Sequence, residues 1–240
     1  MKQIIYQDYE ELSIRTAEMI AQIIESKPDA LLCFAAGETS VGTFRYLAGM
    51  NRAGKLSFKK SRIVGLDEWA HLGKMKNENC LSFLRKNLFD HIGYSEKNFC
   101  FFNGEADDLD SEGVKTDEFI RRFGPVDMML LGAGMNGHLG LNEPGISFDL
   151  YSHIVDLDET TKKVGQKYFS EKVDLRSGIS LGIRHVIEAK TVILQVNGSR
   201  KAEVVKKLLD SEISNAFPAS VVKSHLCSYL LLDKEAAALL

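Results

Sequence analysis

The order of apolar runs along the chain limits its possible folds more than any other feature. Short apolar runs alternate with stretches in which apolar residues recur every three or four positions, the spacing of an amphipathic helix. Strands separated by helices favour parallel pairing with the helices packed on the sheet. The pattern predicts strands at 2–6, 30–34, 61–66, 126–131, 191–196 and 229–232, and helices at 9–26, 41–53, 79–90, 109–123, 158–167 and 199–209.

This alternation predicts one α/β domain over residues 1–240, with an open, mostly parallel sheet and helices on both faces in a Rossmann-like three-layer arrangement. Asp158 and Ser199 are predicted as N-caps, because their side-chain oxygens can accept hydrogen bonds from the first free amides of a helix.

Composition excludes several classes of protein. A net charge of -3 without a basic stripe gives no electrostatic case for binding nucleic acid. No apolar run approaches the roughly 18 residues of a membrane helix, and the first residues lack a signal-peptide core. The four cysteines are scattered singly, which suits a reducing compartment. We therefore expect a cytoplasmic protein that binds neither nucleic acid nor membrane, with its oligomeric state left open.

A glycine-rich segment at 132–145 follows the predicted strand 126–131. It holds one imidazole, His138, and one carboxylate, Glu143, and a titratable pair just past a strand end is typical of an active site. Its first glycines have the spacing of a dinucleotide fingerprint, but the chain continues into more glycines and a proline instead of a helix. The glycines at 37 and 42 are spaced as in a P-loop, but the lysine position holds threonine.

Polar clusters follow four of the predicted strands. In a parallel sheet the carboxyl ends of the strands meet at one edge, so these clusters are predicted to surround a single pocket. The clusters lie at 37–40, 67–68, 136–143 and 198–201.

The residue types in these clusters indicate acid–base chemistry on an anionic ligand. Free amides at the start of a helix suit an anion, although for the loop 37–40 taken alone an ordinary N-cap is the favoured explanation. Lys201 lies in the first turn of its helix, where a cation is disfavoured unless an anion offsets it. The side chains of adjacent residues in an extended chain point to opposite sides. One of the two carboxylates, Asp67 or Glu68, can therefore act as a general base while the other caps a helix. His138 can carry a proton, with Glu143 to orient it. With one histidine nearby, no metal site is expected.

The sequence resembles the glucosamine-6-phosphate deaminase/isomerase family over nearly its whole length. The resemblance rests on Leu66-Asp67-Glu68-Trp69, on the segment from Gly134 to Gly145, on Gly198-Ser199-Arg200-Lys201-Ala202, and on Phe217-Pro218-Ala219-Ser220. The related 6-phosphogluconolactonases have Asp-Gly-His without Asn-Glu-Pro, whereas this chain has both Asn136-Gly137-His138 and Asn142-Glu143-Pro144.

The resemblance implies an enzyme that converts an aminohexose 6-phosphate to a ketohexose 6-phosphate and ammonia without cofactor or metal. It implies that Asp67 moves a proton between C2 and C1, and that His138 opens the sugar ring with Glu143 as its partner. Asn136 replaces the aspartate of many members, which puts a pairing of His138 with that position in doubt. It further implies a phosphate site, made by Gly37, Glu38, Thr39, Lys167 and Lys201.

Two departures concern the phosphate site. Lys167 replaces an arginine, which keeps the charge and loses a bidentate fork. Glu38 would repel a phosphate unless its side chain turns away.

Three questions about function stay open at this point. Within the family, Trp69 and the segment Ile179–Ile183 are more similar to the galactosamine-6-phosphate isomerase branch than to the glucosamine-6-phosphate deaminases. Galactosamine 6-phosphate is therefore the preferred substrate, and glucosamine 6-phosphate is the close alternative. One rival is a hydrolase of a sugar-acid lactone 6-phosphate. The other is a non-catalytic sugar-phosphate sensor, which would need a DNA-binding helix-turn-helix that this sequence lacks and would have little reason to keep Asp67, His138 and Glu143 together.

Overall fold

The computed structural model describes all residues, 1–240, as ten strands, seven α-helices and several 3₁₀ turns. The strands are β1 (Lys2–Tyr6), β2 (Leu31–Phe34), β3 (Arg62–Gly65), β4 (Asp67–Trp69), β5 (Phe99–Cys100), β6 (Met128–Leu131), β7 (His153–Asp156), β8 (Ser177–Ser180), β9 (Val192–Val196) and β10 (Ser228–Asp233). The helices are α1 (Tyr9–Ser26), α2 (Val41–Arg52), α3 (Cys80–Asn87), α4 (Leu109–Phe123), α5 (Glu159–Gly165), α6 (Ile183–Glu188) and α7 (Ala202–Asp210). None of the helices combines the length and the apolarity needed to cross a bilayer.

The main sheet has seven strands in the order β1-β10-β9-β6-β2-β3-β5, and every neighbouring pair in it is parallel. Its central strands are buried on both faces, which explains why they are continuous apolar runs in the sequence. In β2, Leu31 and Cys33 pack into one hydrophobic core while Leu32 and Phe34 pack into another, because side chains alternate along a strand. The α/β sandwich predicted from the sequence is confirmed.

A second, three-stranded antiparallel sheet of order β4-β8-β7 was not predicted. The predicted strand 61–66 corresponds to β3, which ends at Gly65. A separate strand, β4, begins at Asp67, and Asp67 pairs with Ser180 of β8. These strands are short and of mixed polarity, so their pairing depends on contacts between distant parts of the chain. Gly178 allows the close approach, because a Cβ there would lie 2.9 Å from the Glu68 carbonyl oxygen.

The caps predicted for two helices have different outcomes. Asp158 caps α5, accepting a hydrogen bond from the Thr160 amide at 2.8 Å. The prediction that Ser199 caps a helix at 199–209 is wrong. Residues Ser199–Lys201 form a 3₁₀ turn without a side-chain cap, and α7 begins at Ala202. The turn is possible because Gly198 adopts φ +83°, a left-handed conformation that other residues avoid.

The strand order brings the four polar clusters to one edge of the sheet. β9, β6, β2 and β3 lie side by side, and each polar cluster follows one of them. After β2 the chain continues outward to β3 and β5, whereas after β6 it continues in the opposite direction to β9. Such a reversal leaves a crevice between the two central loops, the usual ligand site of an open α/β sheet.

Candidate active site

Asp67 is a buried carboxylate at the start of β4, only 8% exposed. No amide or hydroxyl group donates a hydrogen bond to it, and the Cys80 thiol and the charge of His138 are the groups that act on it. Burial raises the pKa of Asp67 to about 6, against smaller opposing effects of Cys80 and His138. A carboxylate with this pKa and no saturating donors is suited to take up and return a proton.

Glu68 lies on the opposite side of the same strand and binds the first free amides of α3, whose N-cap residue is Asn79. Its carboxylate accepts hydrogen bonds from three amides: Trp69 at 2.9 Å, Cys80 at 2.9 Å and Leu81 at 3.0 Å. The two adjacent carboxylates are therefore separated as the sequence predicted, with Asp67 toward the crevice and Glu68 fixing the next helix.

His138 lies in the glycine-rich loop after β6 and is held through Nδ1. That nitrogen lies 3.0 Å from Thr161 Oγ1 and 3.4 Å from Glu143 Oε2, while Nε2 has no protein partner. The imidazole packs directly on Gly134, where a Cβ would lie 2.4 Å from Nε2. The loop therefore leaves one ring nitrogen of His138 free to exchange a proton with a ligand.

Gly140 brings the same loop against Asp67. It adopts φ +59°, and a Cβ at this position would lie 3.2 Å from Asp67 Oδ2. Its glycine identity thus places the acidic and the imidazole groups on the walls of one crevice.

Asn136 orients Glu143 and makes no contact with the imidazole of His138. Its Nδ2 donates to Glu143 Oε2 at 2.8 Å and to Asp158 Oδ1 at 3.3 Å, and its Oδ1 accepts from the backbone amide of His138 at 3.2 Å. Burial favours the neutral form of Glu143, but the interaction with His138, followed by those with Thr161 and Asn136, outweighs burial and lowers the pKa. Glu143 is thus a buried carboxylate kept ionised beside the histidine.

The candidate anion subsite lies between the loops that follow β2 and β9. Each loop has a glycine with positive φ, Gly37 at +141° and Gly198 at +83°, followed by a 3₁₀ turn that leads into a helix. Thr39 is fixed through its carbonyl oxygen, which accepts from Tyr9 Oη at 3.0 Å and from Gln195 Nε2 at 3.2 Å. Free amides at two such helix starts can bind the oxygens of one anion.

Two lysines supply positive charge to this subsite. Lys201 Nζ donates to the Ala133 carbonyl oxygen at 2.6 Å. Burial, helped by the charge of Lys167, lowers the pKa of Lys201 to about 8. The charge of Lys167 acts on Lys201 and no carboxylate offsets it there, so the position of Lys201 favours a negatively charged ligand.

Glu38 does not point its carboxylate at the free amides. Its Oε2 lies 2.7 Å from Lys167 Nζ, and the side chain is 70% exposed. Burial is the largest single effect on Lys167 and acts against its charge, but the interactions with Glu38 and Tyr168 together outweigh it and raise the pKa. The repulsion expected of a glutamate beside a phosphate is relieved, because Glu38 turns toward the solvent side and onto a lysine.

Two contacts of the site were not anticipated from the sequence. Thr161, on the first turn of α5, contacts His138, and Cys80, the first residue of α3, lies beside Asp67. Each belongs to a helix that is remote in sequence from its partner, so no local pattern could have indicated the pairing. The residues proposed from the sequence, by contrast, are connected to one another. Asn136 and His138 contact Glu143, Glu38 contacts Lys167, and Lys201 binds the carbonyl of Ala133 in the loop that also holds His138.

Comparison with known proteins gives consistent matches along the whole chain. The family model described as glucosamine-6-phosphate isomerases/6-phosphogluconolactonase matches residues 8–230. A glucosamine-6-phosphate deaminase of Bacillus pumilus is 37% identical over 240 residues, covering 100% of both chains. The solved structure of a monomeric glucosamine-6-phosphate deaminase superimposes with a TM-score of 0.95 at 38% identity and full coverage of both chains. A 6-phosphogluconolactonase of Thermotoga maritima shares the fold, with a TM-score of 0.77 over 97% of this chain and 99% of its own, at 16% identity.

Proposed function

The chain belongs to the glucosamine-6-phosphate isomerase/6-phosphogluconolactonase family, and from this we propose that it is an enzyme that converts glucosamine 6-phosphate to fructose 6-phosphate and ammonia. The full-length relatives that support this proposal are glucosamine-6-phosphate deaminases, so the preference for the galactosamine epimer stated above gives way to the glucosamine epimer. The observation that carries the proposal is Asp67, a buried carboxylate with a raised pKa and no saturating donors, beside a histidine whose Nε2 is free.

In the proposed reaction the phosphate binds first at the anion subsite between the loops that follow β2 and β9. Lys201 and Lys167 neutralise it, and the backbone amides of Gly37, Glu38 and Thr39 donate hydrogen bonds to its oxygens. This anchoring leaves the other end of the sugar in the crevice between Asp67 and His138. Binding energy at the phosphate then positions C1 and C2 at the reactive groups.

The imidazole and the buried carboxylate act in sequence. His138, held by Glu143, takes the proton of the C1 hydroxyl and returns one to the ring oxygen, which opens the ring to the aldehyde. Asp67 then removes the proton from C2, giving a cis-enolamine, and delivers it to C1. In the same step the aldehyde oxygen gains the proton that the C2 ammonium group loses, so that C1 ends as an alcohol. The resulting C2 imine reacts with water, which supplies the ketone oxygen as ammonia leaves. All steps are proton transfers and one hydrolysis, so they require no redox partner.

The proposal is tested by measuring ammonia release from glucosamine 6-phosphate and from galactosamine 6-phosphate under identical conditions. We expect turnover of the glucosamine epimer with a clear preference over the other. Preference for galactosamine 6-phosphate would keep the mechanism and change the substrate. Hydrolysis of 6-phosphogluconolactone without ammonia release from either aminosugar would replace the proposal by the lactonase, and phosphosugar binding without any turnover would favour the sensor.

Asp67→Asn separates the chemistry from binding. We expect this variant to lose exchange of the C2 hydrogen with solvent deuterium and about 10² to 10⁴ of turnover, the usual contribution of a positioned base. Binding of the phosphosugar should largely survive, because the phosphate is held by other residues. Full exchange activity in Asp67→Asn would exclude Asp67 as the base.

A further inference from the structure

The hydroxyl group of Thr161 is a polar contact of the active site to which the reaction above gives no role. Thr161 is 4% exposed and lies on the first turn of α5, and its Oγ1 is 3.0 Å from His138 Nδ1. The same hydroxyl lies near enough to the carboxylate of Glu143 to help lower its pKa. A hydroxyl carries one proton to donate and can accept another, so it can bridge an imidazole and a carboxylate.

The direction of these two hydrogen bonds follows from the charges of the partners. Glu143 is held ionised and can only accept, and it lies 3.4 Å from Nδ1, beyond a good direct hydrogen bond. If the Thr161 hydroxyl donates to Glu143, its oxygen accepts from Nδ1–H of His138. In the reverse arrangement the hydroxyl would donate to an unprotonated Nδ1 of His138, and the carboxylate of Glu143 would lose this donor. Hydrogen bonds to ionised acceptors are about twice as strong, which favours the first arrangement.

We propose that Thr161 is a positioning residue that relays the Nδ1–H of His138 to Glu143 and thereby fixes the imidazole tautomer with an unprotonated Nε2. The consequence for catalysis is direct, because the unprotonated nitrogen then faces the crevice and can take the proton of the sugar's C1 hydroxyl. The inference rests on the proposed function for its catalytic consequence, but the tautomer itself is a property of the free protein.

The first turn of α5 is attached to the catalytic loop at further points, which keeps this geometry in place. The backbone amide of Asp158 donates to Glu143 Oε1 at 3.3 Å, and the side chain of Asp158 accepts from Asn136 at 3.3 Å. Lys167 of the anion subsite follows in the 3₁₀ turn after α5. Because one short segment carries both Thr161 and Lys167, the position of the phosphate and the orientation of His138 are set by the same element.

The test compares variants that differ only in the hydroxyl. Thr161→Val removes it at nearly constant shape, and Thr161→Ser and Thr161→Ala form a second pair that differ by one oxygen atom. We expect Val and Ala to lower kcat about tenfold, equivalent to ~1.4 kcal/mol, with little change in KM, and Ser to retain most of kcat. Thr16→Val is the matched control, since Thr16 is also buried and its hydroxyl binds only the carbonyl of Leu12, at 2.7 Å.

The tautomer is read without substrate from ¹⁵N-histidine NMR spectra at about pH 8.5, above the ordinary range of histidine titration. A His138→Gln spectrum assigns the signal. We expect a protonated Nδ1 in the wild type and in Thr161→Ser, and a mixture of tautomers in Thr161→Val and Thr161→Ala. The relay would be overturned if Nε2 of His138 were protonated in the wild type. It would also be overturned if Thr161→Val or Thr161→Ala changed neither the tautomer nor kcat. A Ser variant as impaired as Ala would show that shape rather than the hydroxyl matters, and would overturn it too. If the wild type released no ammonia, the proposed function would fail, and the NMR result would still decide the relay.

Discussion

Replacing Asp67 by asparagine should make the protein more stable while it abolishes the proposed chemistry. The carboxylate of Asp67 is buried and receives no amide or hydroxyl donor, so folding removes it from water with only the smaller compensation that Cys80 and His138 give. Its pKa rises from 3.8 to about 6. A rise of about two pKa units, at 1.36 kcal/mol each, corresponds to about 3 kcal/mol.

The sign of the pH dependence follows from this rise. Between about pH 3.8 and pH 6 the folded state binds more protons at Asp67 than the unfolded state, so stability falls as pH rises through that window and is level above it. The neutral amide of Asp67→Asn resembles the protonated acid. The variant should therefore equal the wild type near pH 4 and exceed it by about 3 kcal/mol at pH 7. For a chain of this length that corresponds to about 6–12 °C in Tm.

Asp127→Asn is a matched control of opposite sign. Asp127 is equally buried, 5% exposed, but its carboxylate accepts from Lys27 at 2.5 Å, Lys190 at 2.7 Å and the Leu31 amide at 2.8 Å. Although burial opposes ionisation, these partners lower its pKa, so its stabilisation is present at neutral pH and is lost as pH falls through the folded-state value. Asp127→Asn should be less stable than the wild type at pH 7.

The measurement is denaturant unfolding of the three proteins at several pH values between about 4.5 and 7, with thermal unfolding as a second probe. An Asp67→Asn variant that is less stable at pH 7, or whose gain does not grow with pH, would refute the assignment of Asp67 as a poorly compensated buried carboxylate. The same would follow if both variants changed stability in the same direction.

Three further predictions concern the anion subsite and the glycine-rich loop. Lys201→Ala should raise KM by about 10- to 100-fold with a smaller effect on kcat, because a charge-assisted contact to phosphate is lost. In the wild type, KM should increase once the pH exceeds about 8, because Lys201 then loses its proton. Glu38→Gln should lower KM, because phosphate no longer competes with a carboxylate for Lys167. The decrease should be at most about fivefold, since the Glu38–Lys167 pair is exposed. An unchanged KM would mean that breaking this ion pair costs no free energy. Gly134→Ala should reduce kcat about 100-fold or more, because its Cβ would displace the imidazole that lies 2.4 Å away, whereas Gly132→Ala, with no atom within 4 Å of its Cβ, should remain active.

Much of the sheet could be predicted from the sequence because its signals are local. A strand buried on both faces must be apolar at every position, so β2, β6 and β9 stand out as uninterrupted apolar runs. The helices at Tyr9–Ser26 and Leu109–Phe123 have the predicted ends, since both carry an aspartate N-cap and an amphipathic repeat within the helix itself.

The grouping of the candidate site residues was also predictable, for a topological reason. Polar clusters follow strands of a parallel sheet, and parallel strands present their carboxyl ends at one edge, so His138 and Lys201 had to approach each other despite their separation in the chain. The division between Asp67 and Glu68 follows from the alternation of side chains along an extended strand.

What the sequence by itself determined is therefore the set of elements, the edge of the sheet and the residue types gathered there. The tertiary structure decided the second sheet that holds Asp67, the contact of Asn136 with Glu143 instead of the imidazole, the pairing of Glu38 with Lys167, and the hydroxyl of Thr161 at His138. The physical reason is the range of the interactions. Caps, turns and periodicity act within a few residues and leave a pattern in the sequence, whereas a hydrogen bond between distant segments depends on helix placement, which only the packing of the whole chain fixes.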